Sequence, residues 1–184
     1  ARWGAPISMG PSDYGCRVGR AQGFECLFQR GKWMKLRRFD LPAILEIELP
    51  DGSPHRVTLV GLGDKSATLA IGNREYVFPL TEIDRVWSGS FIILWKPPFA
   101  ARELHPGTQG AEVAWVRGAL DRIEGKNAVS AVSETYDEEL ERRVFKFQRE
   151  RSLKPNGFVG VDTLVQLALA VAEPEAPSIT RNSF

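Results

Sequence analysis

Cysteine and histidine are scarce in this chain: Cys16, Cys26, His55 and His105 are the only four in 184 residues. So scattered, they cannot supply the ligand spacing of a four-coordinate zinc site, and no metal or cofactor is expected. Charge of one sign is also lacking, since 24 Lys and Arg stand against 23 Asp and Glu. Nucleic-acid binding rests on a basic field that neutralises phosphates, so no nucleic acid is expected as a partner. There is no run of about 18 apolar residues to span a bilayer. A Gly-x-x-x-x-Gly-Lys-Ser/Thr loop is missing too, so the chain cannot itself be a P-loop ATPase. The opening Ala1-Arg2-Trp3-Gly4 has neither an initiator Met nor the apolar core of a signal peptide. The expectation is a piece of something longer, with any membrane segment upstream of residue 1.

What is present is a globular composition, with enough apolar residues at 43% to bury a sizeable core. Charge is uneven. Residues 1–98 carry 13 basic and 10 acidic side chains, residues 99–184 carry 11 and 13. The stretch Lys32-Trp33-Met34-Lys35-Leu36-Arg37-Arg38 reads either as a basic docking face or as the solvated side of a helix, and the second is the commoner meaning of such a run.

A short helix capped by Ser12 or Asp13 and stopped at Gly23 is expected first, then a strand over Phe24 to Phe28 and a second helix over 32–39. Pro42 ends that helix. Ala43 to Leu49, Val57 to Leu62, Ala67 to Ile71 and Glu75 to Phe78 are short apolar or alternating runs with Gly, Pro, Asp and Asn between them, which predicts an antiparallel meander. Thr81 with Glu82 and Asp84 suggests a further helical turn, and Ser90 to Trp95 a closing strand. Pro97 to Gly110 has no period and reads as a linker with a turn at Pro106-Gly107. Beyond it the spacing becomes helical at Val113, Val116, Leu120 and Ile123, at Leu140, Val144 and Phe147, and at Leu164, Leu167, Ala168 and Val171. The fold class is therefore α+β: a small antiparallel-sheet domain over 1–98, a three-helix domain with its linker over 99–172, and a flexible tail over 173–184.

One pattern is specific. Phe147-Gln148-Arg149 is followed by Leu153-Lys154-Pro155-Asn156-Gly157-Phe158-Val159-Gly160 and Thr163-Leu164. This resembles the peptidoglycan-binding domain found beside many cell-wall enzymes, over about residues 104–170, with Asn156 where Asp is usual and Val161 where Pro is common. Asn can fill the same turn role. On the residues alone, Gly157 and Gly160 permit unusual backbone angles or close approaches, and Thr163 can bond the start of the third helix. Gln148, Arg149 and Asn156 are the polar side chains best placed to meet a stem peptide or its carboxylate. A wall-binding groove of Gln148, Arg149, Asn156, Gly157, Gly160 and Thr163 is expected, with Phe147 in the core. Trp115 lies about 200 degrees round its helix from Val113 and serves either sugar stacking or, the commoner role of a large aromatic, packing between the two domains.

The first part carries a second resemblance. Gly23-Phe24, Leu36, Leu41-Pro42-Ala43-Ile44-Leu45 and His55-Arg56-Val57-Thr58-Leu59-Val60-Gly61 are similar to the papain-like peptidase domain that processes bacteriocin leaders, with His55 at the catalytic histidine position. The nucleophile context is missing around Cys16, and Ala70-Ile71-Gly72 stands where that family has Asp-Pro. A cysteine peptidase needs a thiolate beside the imidazole and a third group orienting the ring. His55 is therefore expected as a remnant on the surface, with no catalytic residue in the chain. Cys16 and Cys26, with nine residues between them on adjacent elements, read as a disulfide pair of an oxidising compartment or as two buried thiols.

Both halves together, with Arg37-Arg38-Phe39-Asp40-Leu41-Pro42, Trp87-x-Gly89 and Leu94-Trp95-Lys96-Pro97-Pro98, resemble the periplasmic region of the general secretion pathway protein A (ExeA) family. The resemblance implies a periplasmic part of an inner-membrane-anchored protein that binds peptidoglycan and helps assemble or localise the type II secretion secretin, with an inner-membrane partner protein and a homo-oligomer as further partners. The competing readings are a peptidoglycan-targeted cysteine peptidase or cell-wall hydrolase, and a pure interaction scaffold.

Overall fold

The structure is a computed structural model that describes residues 12–100, 102–126, 133–172 and 177–180. The chain divides into two compact units, one of residues 1–96 together with 177–184, the other of residues 97–176. The fold class is α+β as the sequence implies. No helix among the described residues is long and apolar enough to cross a membrane.

The first unit is a six-stranded antiparallel sheet. Its strands are β1 (Glu25–Arg30), β2 (Ala43–Glu48), β3 (Pro54–Leu62), β4 (Ser66–Ile71), β5 (Arg74–Pro79) and β6 (Trp87–Trp95), in the order β1-β6-β2-β3-β4-β5. The expected meander holds for β2 to β5, but β6 returns to lie between β1 and β2. Its residues explain the place: Phe91, Ile92 and Ile93 are all buried, and a strand covered on both faces loses the polar alternation that water imposes on an outer one. Leu45, Phe91, Ile93 and Leu59 share one face by register, and the helix α2 (Trp33–Phe39) adds the buried Leu36 and Phe39 to the same core. Each such side chain contributes about 1.5–3 kcal/mol.

Asp40 ends α2 in the left-handed region at φ 51°, and its N–H bonds the Leu36 carbonyl. The basic stretch is neither wholly free nor a single patch: Lys35 bonds Gln29, Arg37 bonds the Gly63 carbonyl, and Trp33 stacks 4.6 Å from Trp87 and donates to Asp84. The remaining helices of this unit are α1 (Ser12–Ala21), which Gly23 closes at φ 80°, and the single turn α3 (Leu80–Ile83).

The sulfurs of Cys16, on α1, and Cys26, on β1, are bonded, with Cα atoms 5.7 Å apart. Closing so short a loop restricts the unfolded chain and is worth up to about 3 kcal/mol on the chain-entropy account. Denatured protein purified under oxidising conditions is expected to show no reactive thiol before reduction and two after it. Two free thiols without reductant would place the chain in the reduced state instead.

Residues 177–180, expected within a flexible tail, are held on the first unit, where Ile179 is fully buried and its carbonyl accepts from Leu62 N–H at 2.7 Å. Residues 173–176 and 181–184 of that tail lie outside the described residues.

The second unit packs α4 (Ala111–Ile123), α5 (Glu138–Glu150) and α6 (Val161–Ala170) around Val113, Val116, Leu120, Leu140, Val144, Phe147, Leu164 and Leu167, all buried at the positions the helical spacing predicts. The expected linker is partly built into it. Leu104 is buried and bridges Val159 through N–H···O bonds of 3.1 and 2.8 Å, and Gly107 and Gly110 donate to Tyr136 and Glu134. Isolated bridges of this kind leave no period in a sequence, so the segment reads as loop.

Candidate functional site

Asp137 opens α5 by accepting the Leu140 N–H at 2.9 Å, so one of the free donors at the helix start is satisfied. That bond holds the Asp137 carboxyl below the usual carboxylate range, and the Arg117 guanidinium adds to it against the opposing effect of burial. Arg117 itself is buried on α4 and reaches Asp137 at 2.9 Å, Glu139 at 3.0 Å and the Thr135 carbonyl at 3.0 Å. One helical turn on, Asp121 meets Arg143 at 2.6 Å, and Glu124 meets it at 3.1 Å. These pairs fix how α5 lies along α4. They thereby place the end of α5, where the expected groove residues begin.

Gln148 is 1% exposed and spends its whole amide inside the domain. Its Oε1 accepts from Asn156 N at 3.0 Å and Gly157 N at 2.9 Å; its Nε2 donates to Phe158 O at 2.7 Å, Asn156 Oδ1 at 3.1 Å and Thr163 Oγ1 at 3.1 Å. Thr163 is buried as well, and its hydroxyl serves Gln148, where the sequence suggests a bond to the backbone at the start of α6. The structure thus brings Gln148, Asn156, Gly157 and Thr163 together, but as partners of one another. Gln148 and Thr163, expected in the groove, are buried and spend their side-chain polar groups on the turn. The reason is that the turn presents both backbone donors and a backbone acceptor, which an amide, being donor and acceptor at once, satisfies from one position.

Asn156 keeps the turn role: its Oδ1 also accepts from Phe158 N at 3.0 Å, a bond the more usual Asp carboxylate would make equally. Gly157 stands at φ 74°, and a Cβ there would meet the Glu141 Cγ at 2.8 Å. Tyr136, buried beneath it, donates to the Gly157 carbonyl at 2.6 Å. Gly160 is different. Its φ of −83° is open to any residue, no atom lies closer to its missing Cβ than Glu103 Oε2 at 4.0 Å, and it serves as the N-cap of α6.

Of the six expected groove residues, Arg149 and Asn156 are the exposed ones. Beside them the sequence analysis missed a ring pair, the exposed His105 set edge-on to Phe158 at 6.2 Å, because His105 lies in the segment taken as linker. Its nearness follows from the Leu104 to Val159 bridge, which no local pattern announces. Trp115 is half-buried, with the Phe99 ring edge-on at 5.7 Å, so packing within the unit accounts for it.

In the first unit His55 is exposed on β3 and lines a cavity of about 410 Å³ with Glu46, Glu48, Arg56, Ser88 and Ser90. Its Nε2 lies 3.0 Å from Ser53 Oγ, and that hydroxyl donates to Asp51 at 2.5 Å. Asp51 therefore holds the serine proton that a nucleophile would have to give to the imidazole. Cys26 pairs with Leu94 on β6, whereas His55 is level with Trp87 through Ile47, two strands further across. The seven residue steps from Leu94 to Trp87 put the disulfide roughly 20 Å along the sheet from His55.

Residues 109–167 match the family described as "Putative peptidoglycan binding domain". Over 160 residues, 86% of this chain and 29% of the relative, the sequence is 30% identical to general secretion pathway protein A of Aeromonas hydrophila. It is 25% identical over 90% of its length to an Escherichia coli (strain K12) protein named "Putative general secretion pathway protein A", covering 33% of that protein. The chain thus spans about a third or less of the curated relatives it matches. A solved periplasmic domain of the EpsAB fusion protein of the Vibrio vulnificus type II secretion system shares the fold, with a TM-score of 0.57 over 83% of this chain and 67% of that one at 23% identity. By these likenesses the second unit is similar to the peptidoglycan-binding domain family over residues 109–167, and the chain is similar over most of its length to part of general secretion pathway protein A.

Proposed function

We propose that this chain is the non-catalytic, periplasmic, peptidoglycan-binding part of a type II secretion protein, and that its hold on the wall helps assemble or localise the secretin. The observation that carries the reading is the peptidoglycan-binding match over 109–167 in a chain whose relatives are general secretion pathway proteins. The first unit fits a degenerate papain-like domain, because its two cysteines are spent on each other and the imidazole of His55 has no thiolate to activate. An anchor in the inner membrane upstream of residue 1 and an inner-membrane partner belong to the same reading.

The ligand-facing surface is the outer side of the Asn156 to Gly160 turn, with Arg149 available to a stem-peptide carboxylate and the His105 and Phe158 rings beside it. Such a shallow surface gives modest affinity, and self-association raises retention on a polymeric wall through effective concentration, without new contacts. The full chain is expected to co-sediment with purified sacculi, and Arg149→Ala to reduce the pelleted fraction while circular dichroism stays unchanged. A full chain that remains in the supernatant overturns wall binding. Release of peptide or wall fragments that is abolished by His55→Ala would instead make the chain a peptidase or hydrolase.

A further inference from the structure

The first unit holds a short segment on a site built from two of its own loops. One wall is the turn after α2, where the Asp40 carboxylate accepts from Ser178 Oγ at 2.8 Å, Thr180 N at 2.9 Å and Thr180 Oγ1 at 2.8 Å, and the Asp40 carbonyl accepts from Ile179 N at 3.3 Å. The other wall is the end of β3, where Leu62 N–H donates to the Ile179 carbonyl at 2.7 Å. Between them the Ile179 side chain is wholly buried. Arg37 ties the walls together, since its guanidinium bonds the Gly63 carbonyl and lies 3.7 Å from Asp64. The site is therefore made by residues 37–64, and its occupant arrives from about 140 positions further along the chain.

We propose that this is a peptide-recognition site for a hydroxyl, branched-aliphatic, hydroxyl triad, and that Ser178-Ile179-Thr180 is its resident ligand, held in cis. Each element of the triad has its own reader. The two hydroxyls converge on one carboxylate, which can accept from both where an amide or aliphatic group cannot. The central side chain is wholly buried, and its backbone bonds both walls, donating to the Asp40 carbonyl and accepting from Leu62 N–H. Nothing in this recognition requires that the segment be covalently attached. Attachment raises its effective concentration, so an outside segment of the same chemistry competes only when the resident one leaves.

The test uses the full chain with Ile179→Glu, which evicts the resident segment, and a labelled peptide Ala-Pro-Ser-Ile-Thr-Arg. Fluorescence anisotropy is expected to show saturable binding to this variant at least about tenfold tighter than to the unaltered chain, where the site is filled. Binding is expected to vanish with a peptide carrying Glu for Ile, and to weaken about tenfold when Asp40→Gly is added, a change that keeps the left-handed backbone and removes only the carboxylate. Equal binding to both proteins, or none to the variant, overturns the proposal. Should Ile179→Glu not fold, Ser178→Ala with Thr180→Ala takes its place, and exchange of the Leu62 amide becomes the readout. Exchange about tenfold faster than in the unaltered chain, slowed again by peptide, supports the site, and an unchanged rate overturns it. The result is independent of whether the second unit binds the wall.

Discussion

Replacing Gln148 by alanine is expected to cost the second unit about 4 kcal/mol, because the change strands two backbone donors, Asn156 N and Gly157 N, and removes the donor that Phe158 O and Thr163 use. A buried donor without a partner loses its hydration and gains nothing in return, and Gly157 is itself buried, so water cannot take the place of the amide. The loss compares with the roughly 4 to 12 kcal/mol total for a unit of this length, which puts the variant near the point where the domain no longer stays folded. Arg149→Ala, one position away on the exposed side, is expected to change stability by less than about 0.5 kcal/mol. Exchange of the α6 amides under native conditions measures both. Equal protection in the two variants would mean that the turn does not depend on Gln148. The pair also separates structure from binding: Gln148→Ala weakens the hold on sacculi only by unfolding the domain, whereas Arg149→Ala weakens it in a folded one.

The second large effect belongs to the first unit. Gly89 lies in β6 where the register against β2 shifts, with Leu45 opposite Phe91 but Ile47 opposite Trp87. The additional residues bulge, Gly89 takes φ 96°, and its carbonyl accepts from Gly31 N–H at 2.9 Å. A Cβ at Gly89 would come within 2.8 Å of the Gly31 carbonyl oxygen, a backbone atom that cannot turn aside. The same bulge sets Trp87 against Trp33 and lets its Nε1 donate to Ser90 O at 2.8 Å. Gly89→Ala therefore combines left-handed strain with a clash against the main chain and is expected to cost about 3 kcal/mol.

Gly52→Ala gives the comparison. That glycine also has φ 80°, but no atom lies within 4 Å of its missing Cβ, so strain alone remains, about 1 kcal/mol. Urea unfolding followed by tryptophan fluorescence reports mainly on the first unit, where Trp33, Trp87 and Trp95 reside. The Gly89 variant should unfold at clearly lower urea than the Gly52 variant. Coincident midpoints would show that the contact with Gly31 yields freely.

Much of this molecule is legible from local order. Val113, Val116 and Leu120, then Leu140, Val144 and Phe147, recur at helical spacing, and a helix turns such a stripe inward whatever else surrounds it. The strands announce themselves through apolar runs and the turns between them, and the unbroken Phe91-Ile92-Ile93 run even carries the information that β6 is covered on both faces. The peptidoglycan-binding motif, too, is a local string of residues. The tertiary structure alone decided the rest: that β6 inserts between β1 and β2, that Leu104 closes on Val159, that Gln148 and Thr163 serve the turn while Arg149 stays exposed beside it, and that Ile179 docks between Asp40 and Leu62. In each of these the partners are eight to about a hundred and forty residues apart, and the hydrogen bond or burial that joins them imposes no period on either sequence segment. A glutamine that reads a ligand and one that satisfies a buried turn look alike in the sequence. Only burial, which depends on everything packed around it, separates the two.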